Sequence, residues 1–217
     1  LSDRGALAPA YLADFNLVRP NGGHWKLGFE VASVFKRGLK VDTKMLQNET
    51  SPALGKTTEN LRLKRPSVSD FKLPATRPSH LVRVIDVIPR QILTRVERLE
   101  LQAIHGCLRE DLVRDILKIS VLERHHNTGR IGLGLVRGFG IRHGAIATSI
   151  NHDAHNIIAV GSSDELLTLA VNRLIDIDGG IVVVHDDGRF ESLALPIAGL
   201  MTDENPQVVA GSLRRLK

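Results

Sequence analysis

Apolar and polar residues alternate in short runs along most of this chain, and only once do they recur at helical spacing. Residues 14–18 and 29–35 read as two short strands, separated by the turn signal Pro20-Asn21-Gly22-Gly23. Arg37-Gly38 then turns the chain into Lys40-Val41, the return of a hairpin. From Leu81 the strand pattern resumes, with β-rich runs at 81–88, 92–99, 116–122, 144–150 and 157–161. Ser163 before Asp164-Glu165 is an N-cap with acids in the first turn. Leu166, Leu167, Ala170, Val171, Leu174 and Ile175 follow at helical spacing until Gly179-Gly180 stops them. Residues 181–184 form another strand, Asp187-Gly188 a hairpin turn, and residues 190–195 the returning strand.

Between these regions, residues 43–79 carry few large apolar side chains, four prolines (Pro52, Pro66, Pro74 and Pro78) and many Ser, Thr and Lys. That composition reads as a linker, or as an extended segment lying on another surface. The expected organisation is therefore a small β segment over 1–42, a linker over 43–79 and a layered α/β domain over 80–217, an α/β chain as a whole.

The bulk composition removes several function classes. The chain has 217 residues, 42% of them hydrophobic, enough for one large core or two smaller ones. The formal net charge of +5 invites a nucleic-acid reading, but the basic residues are dispersed and aromatics are only 4%, so base-stacking platforms are scarce. No nucleic-acid partner is expected. Cys107 is the one cysteine, which excludes an internal disulfide and a multi-thiolate zinc site and fits a reducing cytoplasm. It reads as a small buried hydrophobe. No apolar run is long enough to span a bilayer, and the first residues lack the pattern of a signal peptide, so no membrane partner is expected. The opening, without an initiator Met, reads as the middle of something longer.

Four segments could carry chemistry. His152-Asp153-Ala154-His155-Asn156 lies between two apolar strands, where a loop at a sheet edge presents side chains to a ligand. Imidazole ligates metals or shuttles protons, a carboxylate orients it, and Asn offers both donor and acceptor to a purine edge. A polar turn whose Asp and Asn bond the local backbone explains the composition equally well. The second segment runs from Glu123 through Arg124, His125, His126, Asn127 and Thr128 to Gly129-Arg130. Adjacent histidines on a strand face opposite ways, so at most one of His125 and His126 readily enters a single site. Taken alone, this segment reads as a solvated loop. Residues 132–140 carry glycines at 132, 134, 138 and 140, but Arg137 stands where the dinucleotide fingerprint needs glycine. A short helix packing tightly on a sheet is the expectation there. His185-Asp186-Asp187-Gly188 reads as a structural strand end and turn.

Taken together, these segments resemble the adenine deaminases of the amidohydrolase superfamily. The resemblance is carried by residues 123–129, by Gly138-Phe139-Gly140 and above all by the run from Ala147 through Asn151-His152-Asp153-Ala154-His155-Asn156 to Gly161. Residues 70–71, 83–89, 171–175, 179–180 and 195–201 extend it in order over most of the chain. Residues 4–14 resemble the segment by which many amidohydrolases leave their barrel and complete a small β-sandwich. That family has glycine where Ala10 stands, so an adjusted turn is expected there.

The resemblance implies a three-part enzyme with a (β/α)₈ barrel, a β-sandwich and a C-terminal α/β domain, of which the barrel is absent from this chain. Residues 1–42 would then be the C-terminal strands of the sandwich, and 80–217 the C-terminal domain, incomplete at its end. Such enzymes convert adenine and water to hypoxanthine and ammonia in purine salvage. A metal-activated hydroxide attacks the carbon bearing the amine, and acid–base groups move protons to the leaving ammonia. The resemblance implies a divalent metal, manganese, iron or zinc, held by the barrel and not by this chain. It also implies the barrel as partner, a homo-oligomeric cytoplasmic protein, and a fragment inactive by itself. His152, Asp153, His155 and Asn156, with His125 and His126 as weaker candidates, are expected to face the site as substrate contacts or supports. Two alternatives stay open: a non-catalytic structural or oligomerisation domain, and a related amidohydrolase acting on another aminopurine.

Overall fold

A computed structural model describes residues 3–42, 61 and 63–216. The chain divides into two units, Leu1–Pro52 and Ala53–Lys217. In the first, β1 (Phe15–Pro20), β2 (Phe29–Lys36) and β3 (Leu39–Lys40) form an antiparallel sheet in that order. Phe15 lies opposite Phe35, and their rings stack at 4.7 Å between centroids. The Asp14 carboxylate accepts from Lys36 Nζ at 2.6 Å and from the Arg37 N–H at 2.7 Å, closing the hairpin. The turn at Ala10 does not avoid the conformation that favours glycine, because Ala10 itself adopts φ 67. None of residues 3–42 is fully buried, and Leu17, Trp25, Phe29 and Val31 are exposed.

The second unit is built on one ten-stranded sheet. Its strands are β4 (Leu73–Pro74), β5 (Ser79–Val87), β6 (Thr94–Ile104), β7 (Cys107–Leu108), β8 (Ile116–Leu122), β9 (Ile131–Arg137), β10 (Ala145–Thr148), β11 (Ile157–Gly161), β12 (Gly180–Val184) and β13 (Phe190–Ala194). They lie in the order β13-β12-β10-β11-β8-β9-β5-β6-β7-β4. Every pairing is antiparallel except β5 with β9. The expected strands therefore form, and the unit is α/β in the sense of a mostly β sheet with few helices. One expectation is corrected: residues 131–137 are strand β9, not a short helix. Their alternation has period 2, with Gly132 and Gly134 opposite Val121 and Ile119.

Helix α1 (Asp164–Asp176) covers one face of the sheet over β10, β11 and β12. The Ser163 hydroxyl caps it by accepting from the Leu166 N–H at 3.1 Å. Leu167, Ala170, Val171 and Leu174 are fully buried against Ala145, Ala147, Ala159, Val182 and Val184. Each large apolar side chain so buried contributes roughly 1.5–3 kcal/mol. The alanines let the helix sit close, and Gly161 closer still, since a Cβ there would meet Ala145 Cβ at 2.8 Å and Leu167 Cγ at 3.0 Å. The face also buries charge. Lys118 on β8 is fully buried and bonded to the equally buried Asp164 at the helix start, with Glu110 Oε1 3.5 Å from its ammonium.

Of the expected linker, residues 43–60 and 62 lie outside the described residues. Beyond them, Leu61 and Phe71 enter the core under α1. Arg65 pairs with Asp176 at 2.6 Å, and the Pro66 carbonyl accepts from Asn172 Nδ2 at 3.3 Å, so this stretch lies along the helix. A second helix, α2 (Pro206–Arg215), is capped by Asn205, has proline in its first turn and packs beside β13.

Candidate functional site

Three connections meet at one end of this sheet: residues 123–130 between β8 and β9, residues 149–156 between β10 and β11, and the chain after β13. The first is organised by one carboxylate. Glu123 accepts from the backbone N–H groups of His126 at 2.7 Å and Thr128 at 3.1 Å, from that of His125, and from the Thr128 hydroxyl at 2.9 Å. Partial desolvation pushes this carboxyl up, but the Thr128, His126 and His125 N–H groups and the Thr128 hydroxyl outweigh it and hold the carboxyl at about 2. The backbone of His125 and His126 is thus fixed, while both side chains are exposed. They lie in the loop beyond the strand, with ring centroids 6.4 Å apart, so strand alternation does not direct them to opposite faces.

The second connection carries the denser chemistry. His152 and Asp153 stand at its tip, 84% and 85% exposed, and pair with each other. His155 and Asn156 are half-buried. The rings of His152 and His155 meet edge-on with centroids 6.0 Å apart. His155 Nδ1 and Asn156 Oδ1 are both buried and have no hydrogen-bond partner. A buried polar atom left so is costly and calls for a partner. The His125 ring reaches across, with Nε2 2.9 Å from the Ala154 carbonyl. The structure therefore brings His125 and the 152–156 segment together, and leaves His126 on the solvent side of its own loop.

Two buried residues of this end are not among those expected to face the site: Ser149, and Arg124, which the sequence offers only as part of the 123–130 segment. Ser149 Oγ donates to the Gly199 carbonyl at 2.5 Å and accepts from the Gly180 N–H at 2.7 Å. The Arg124 guanidinium donates through Nε to the His155 carbonyl and through Nη2 to the Ala198 carbonyl at 2.9 Å. Burial holds its pKa below the usual arginine value, partly offset by Asp178. Gly199 has no side chain because Arg124 lies against it: a Cβ there would meet the guanidinium at 2.9 Å. A signal for Arg124 existed in the pattern, since Ile116, Lys118, Ser120, Leu122 and Arg124 share one parity, and the inward face of β8 continues into it.

Beside Glu123 lies a cavity of about 240 Å³, lined by Lys64, Arg65, Asp70, Arg130 and the apolar side chains of Leu63, Leu122 and Ile131. Asp70 faces its own 3₁₀ turn (Val68–Phe71), where the Ser67 N–H at 2.7 Å and hydroxyl at 2.8 Å hold its carboxyl below the usual range. Among the described residues, no three His, Cys, Asp or Glu side chains converge so as to hold a metal ion.

Residues 91–217 match the sequence profile of the adenine deaminase C-terminal domain. The adenine deaminase of Bacillus licheniformis is 36% identical over 220 residues, spanning 100% of this chain. That of Methylobacterium nodulans is 38% identical over 218 residues, again 100% of the chain, and that of Methanothrix thermoacetophila 41% identical over 205 residues, 94% of the chain. The chain spans 37%, 37% and 35% of the length of these three proteins. On this likeness, which runs through both loops of the sheet end, the chain belongs to the adenine deaminase C-terminal domain family.

Proposed function

We propose that this chain is the C-terminal part of an adenine deaminase, in which His152, Asp153, His155 and Asn156 line the purine site and His125 supports them. The reaction is hydrolysis of adenine to hypoxanthine and ammonia. What supports the site assignment is the pair of buried, unpartnered atoms His155 Nδ1 and Asn156 Oδ1 in the segment most like the family. An aminopurine offers N–H donors from its exocyclic amine and imidazole ring, and bonding to one would remove the cost of leaving such an atom unmatched. His152, held to Asp153, would contact the base from the solvent side or support the residues that do. The divalent metal that the family implies would supply an activated hydroxide. In this reading the metal, whether manganese, iron or zinc, is held by the barrel of the complete enzyme. Adenine as substrate, the barrel as partner and a homo-oligomeric, cytoplasmic enzyme belong to the same reading. None of the described helices is long and apolar enough to cross a membrane.

The experiment is alanine replacement of His152 and His155, singly, in the complete enzyme. Turnover of adenine is expected to fall about tenfold or more for each. Unchanged turnover with unchanged adenine affinity would overturn the assignment. A second reading, a domain that only packs or oligomerises, draws on the exposed Leu81, Ile85 and Val96 of β5 and β6. It predicts normal catalysis in both alanine variants.

A further inference from the structure

The two Arg124 acceptors described above share an unusual property. His155 has φ 50 and Ala198 has φ 56, so both carbonyls belong to non-glycine residues in the left-handed region. Side chains with a Cβ adopt that conformation at a cost, and keep it where the surroundings leave no alternative. The two residues lie in connections 43 positions apart, and one buried guanidinium spans both carbonyls. Ser149 fastens the other end of the same loop to the neighbouring Gly199 carbonyl. The His155 N–H is also committed, to the Asn151 carbonyl at 2.6 Å. The loop therefore has a fixed base, made by Arg124 and Ser149 on the 197–201 turn, and an exposed tip at His152 and Asp153.

We infer that Arg124 is a positioning residue: it holds His155 in its left-handed conformation and so aims the His155 and Asn156 side chains into the purine site. This rests on the site assignment proposed above. A planar fork is needed, because two carbonyls must be reached from one buried position; a lysine ammonium brings charge but a single donating atom. Arg124 is buried beneath the two carbonyls it bonds, and its role in this inference runs through the loop and not through contact with substrate.

Two measurements on Arg124→Lys test this, with Arg124→Gln as a second variant. The first is amide hydrogen exchange on the chain, which needs no catalysis. Exchange at His155 and Asn156 is expected to speed up about tenfold, the loss of a charge-assisted hydrogen bond, with β8, β10 and β11 unchanged. Unchanged loop exchange in a folded variant overturns the inference; so does uniform acceleration over the sheet in both variants, which would make Arg124 a general stability residue. The second is a double-mutant cycle in the complete enzyme. Arg124→Lys is expected to lower kcat about tenfold to a hundredfold, with a smaller change in KM, and to have no further effect once His155→Ala is present. Additive losses would overturn the route through His155. If His155→Ala alone leaves turnover intact while Arg124→Lys loosens the loop, the site assignment falls, and with it the catalytic role of the clamp. The two failures are therefore distinguishable.

Discussion

Removing the Lys118 ammonium should cost this domain a large share of its stability, and the loss should shrink as pH falls. Lys118 and Asp164 are fully buried, and Glu110 is nearly so. A unit charge 3.5 Å from an opposite one, as Glu110 Oε1 is from Lys118 Nζ, is worth roughly 5 kcal/mol at an effective dielectric of about 20, and the gain is opposed by desolvation of both groups. The wild-type cluster is therefore close to neutral in net terms. In Lys118→Met the desolvation of Asp164 and Glu110 remains, and what faces them is Arg109, 3.7 Å from Asp164 and partly solvated. A broken buried pair costs about 3–5 kcal/mol, against a typical total of about 5–15 kcal/mol. Desolvation already raises the Glu110 pKa, and losing Lys118 raises it further. The folded variant then binds more protons than the unfolded chain above the ordinary glutamate range, so its stability declines as pH rises through and above that range. Urea unfolding followed by far-UV circular dichroism measures this. Tryptophan fluorescence does not, because Trp25, the single tryptophan, lies in the other unit. A cost below about 1 kcal/mol at pH 8, or a cost independent of pH, would refute the assignment of Lys118 as the counter-charge of two buried carboxylates.

Two further expectations concern packing and ionisation. Gly161→Ala should destabilise by about 1–3 kcal/mol, since its methyl group meets the backbone-anchored Ala145 Cβ at 2.8 Å, and Ala145→Gly should recover part of that; full stability in the single variant would refute the close-approach argument. Glu123 should titrate near 2 and not near 4.5 in an NMR pH series. Because its folded pKa is depressed, its contribution is present above the unfolded value and is lost as pH falls from about 5 towards 2, with protection of the His125, His126 and Thr128 amides lost together in that window. Loss of that protection already complete at pH 4 would count against it.

What could be read from the sequence is what depends on local periodicity. The N-cap of α1 at Ser163 and the strands β8, β11 and β12 follow from spacing alone, because apolar alternation and capping chemistry are local. Strand β9 escaped because glycines at 132 and 134 fill the half of its alternation between Ile131, Leu133 and Leu135 where polar side chains would mark a strand, leaving a glycine-rich stretch that resembles a packing helix. Helix α2 escaped because its apolar positions are few: only Val208, Val209 and Leu213 mark it, and its Asn205-Pro206 start is the stronger signal. The candidate residues 152–156 were visible as a dense polar loop, but their division into an exposed pair and a half-buried pair was not. That division goes with Arg124, 31 positions from His155, which bonds the His155 carbonyl, and with Ser149, which ties the start of the same loop to the Gly199 carbonyl.

The chemistry left available at this end of the sheet argues for recognition through hydrogen bonds rather than through charge. Glu123 directs its carboxylate onto backbone N–H groups of its own loop, Asp70 onto the start of a 3₁₀ turn, and Asp153 onto His152. A carboxylate so committed is a poor ligand for a shared cation, because binding one would strip the loop of the bonds that shape it. Among the described residues of the two loops, the buried polar side-chain atoms without a partner are an imidazole nitrogen and an amide oxygen, both on residues half sunk into the fold. Such atoms select by shape and donor pattern, and they do so only if their positions are fixed before the ligand arrives, since every freely rotating bond would add an entropic cost to binding. Fixation is what the buried guanidinium supplies. The carbonyl of the residue bearing the imidazole is anchored, its φ is held left-handed, and the adjacent Asn156 leads directly into β11, whose first residue, Ile157, is fully buried. Under the proposed reading, these two groups would meet an uncharged base through hydrogen bonds, held by the Arg124 guanidinium, while Glu123 and Asp70 shape only their own turns.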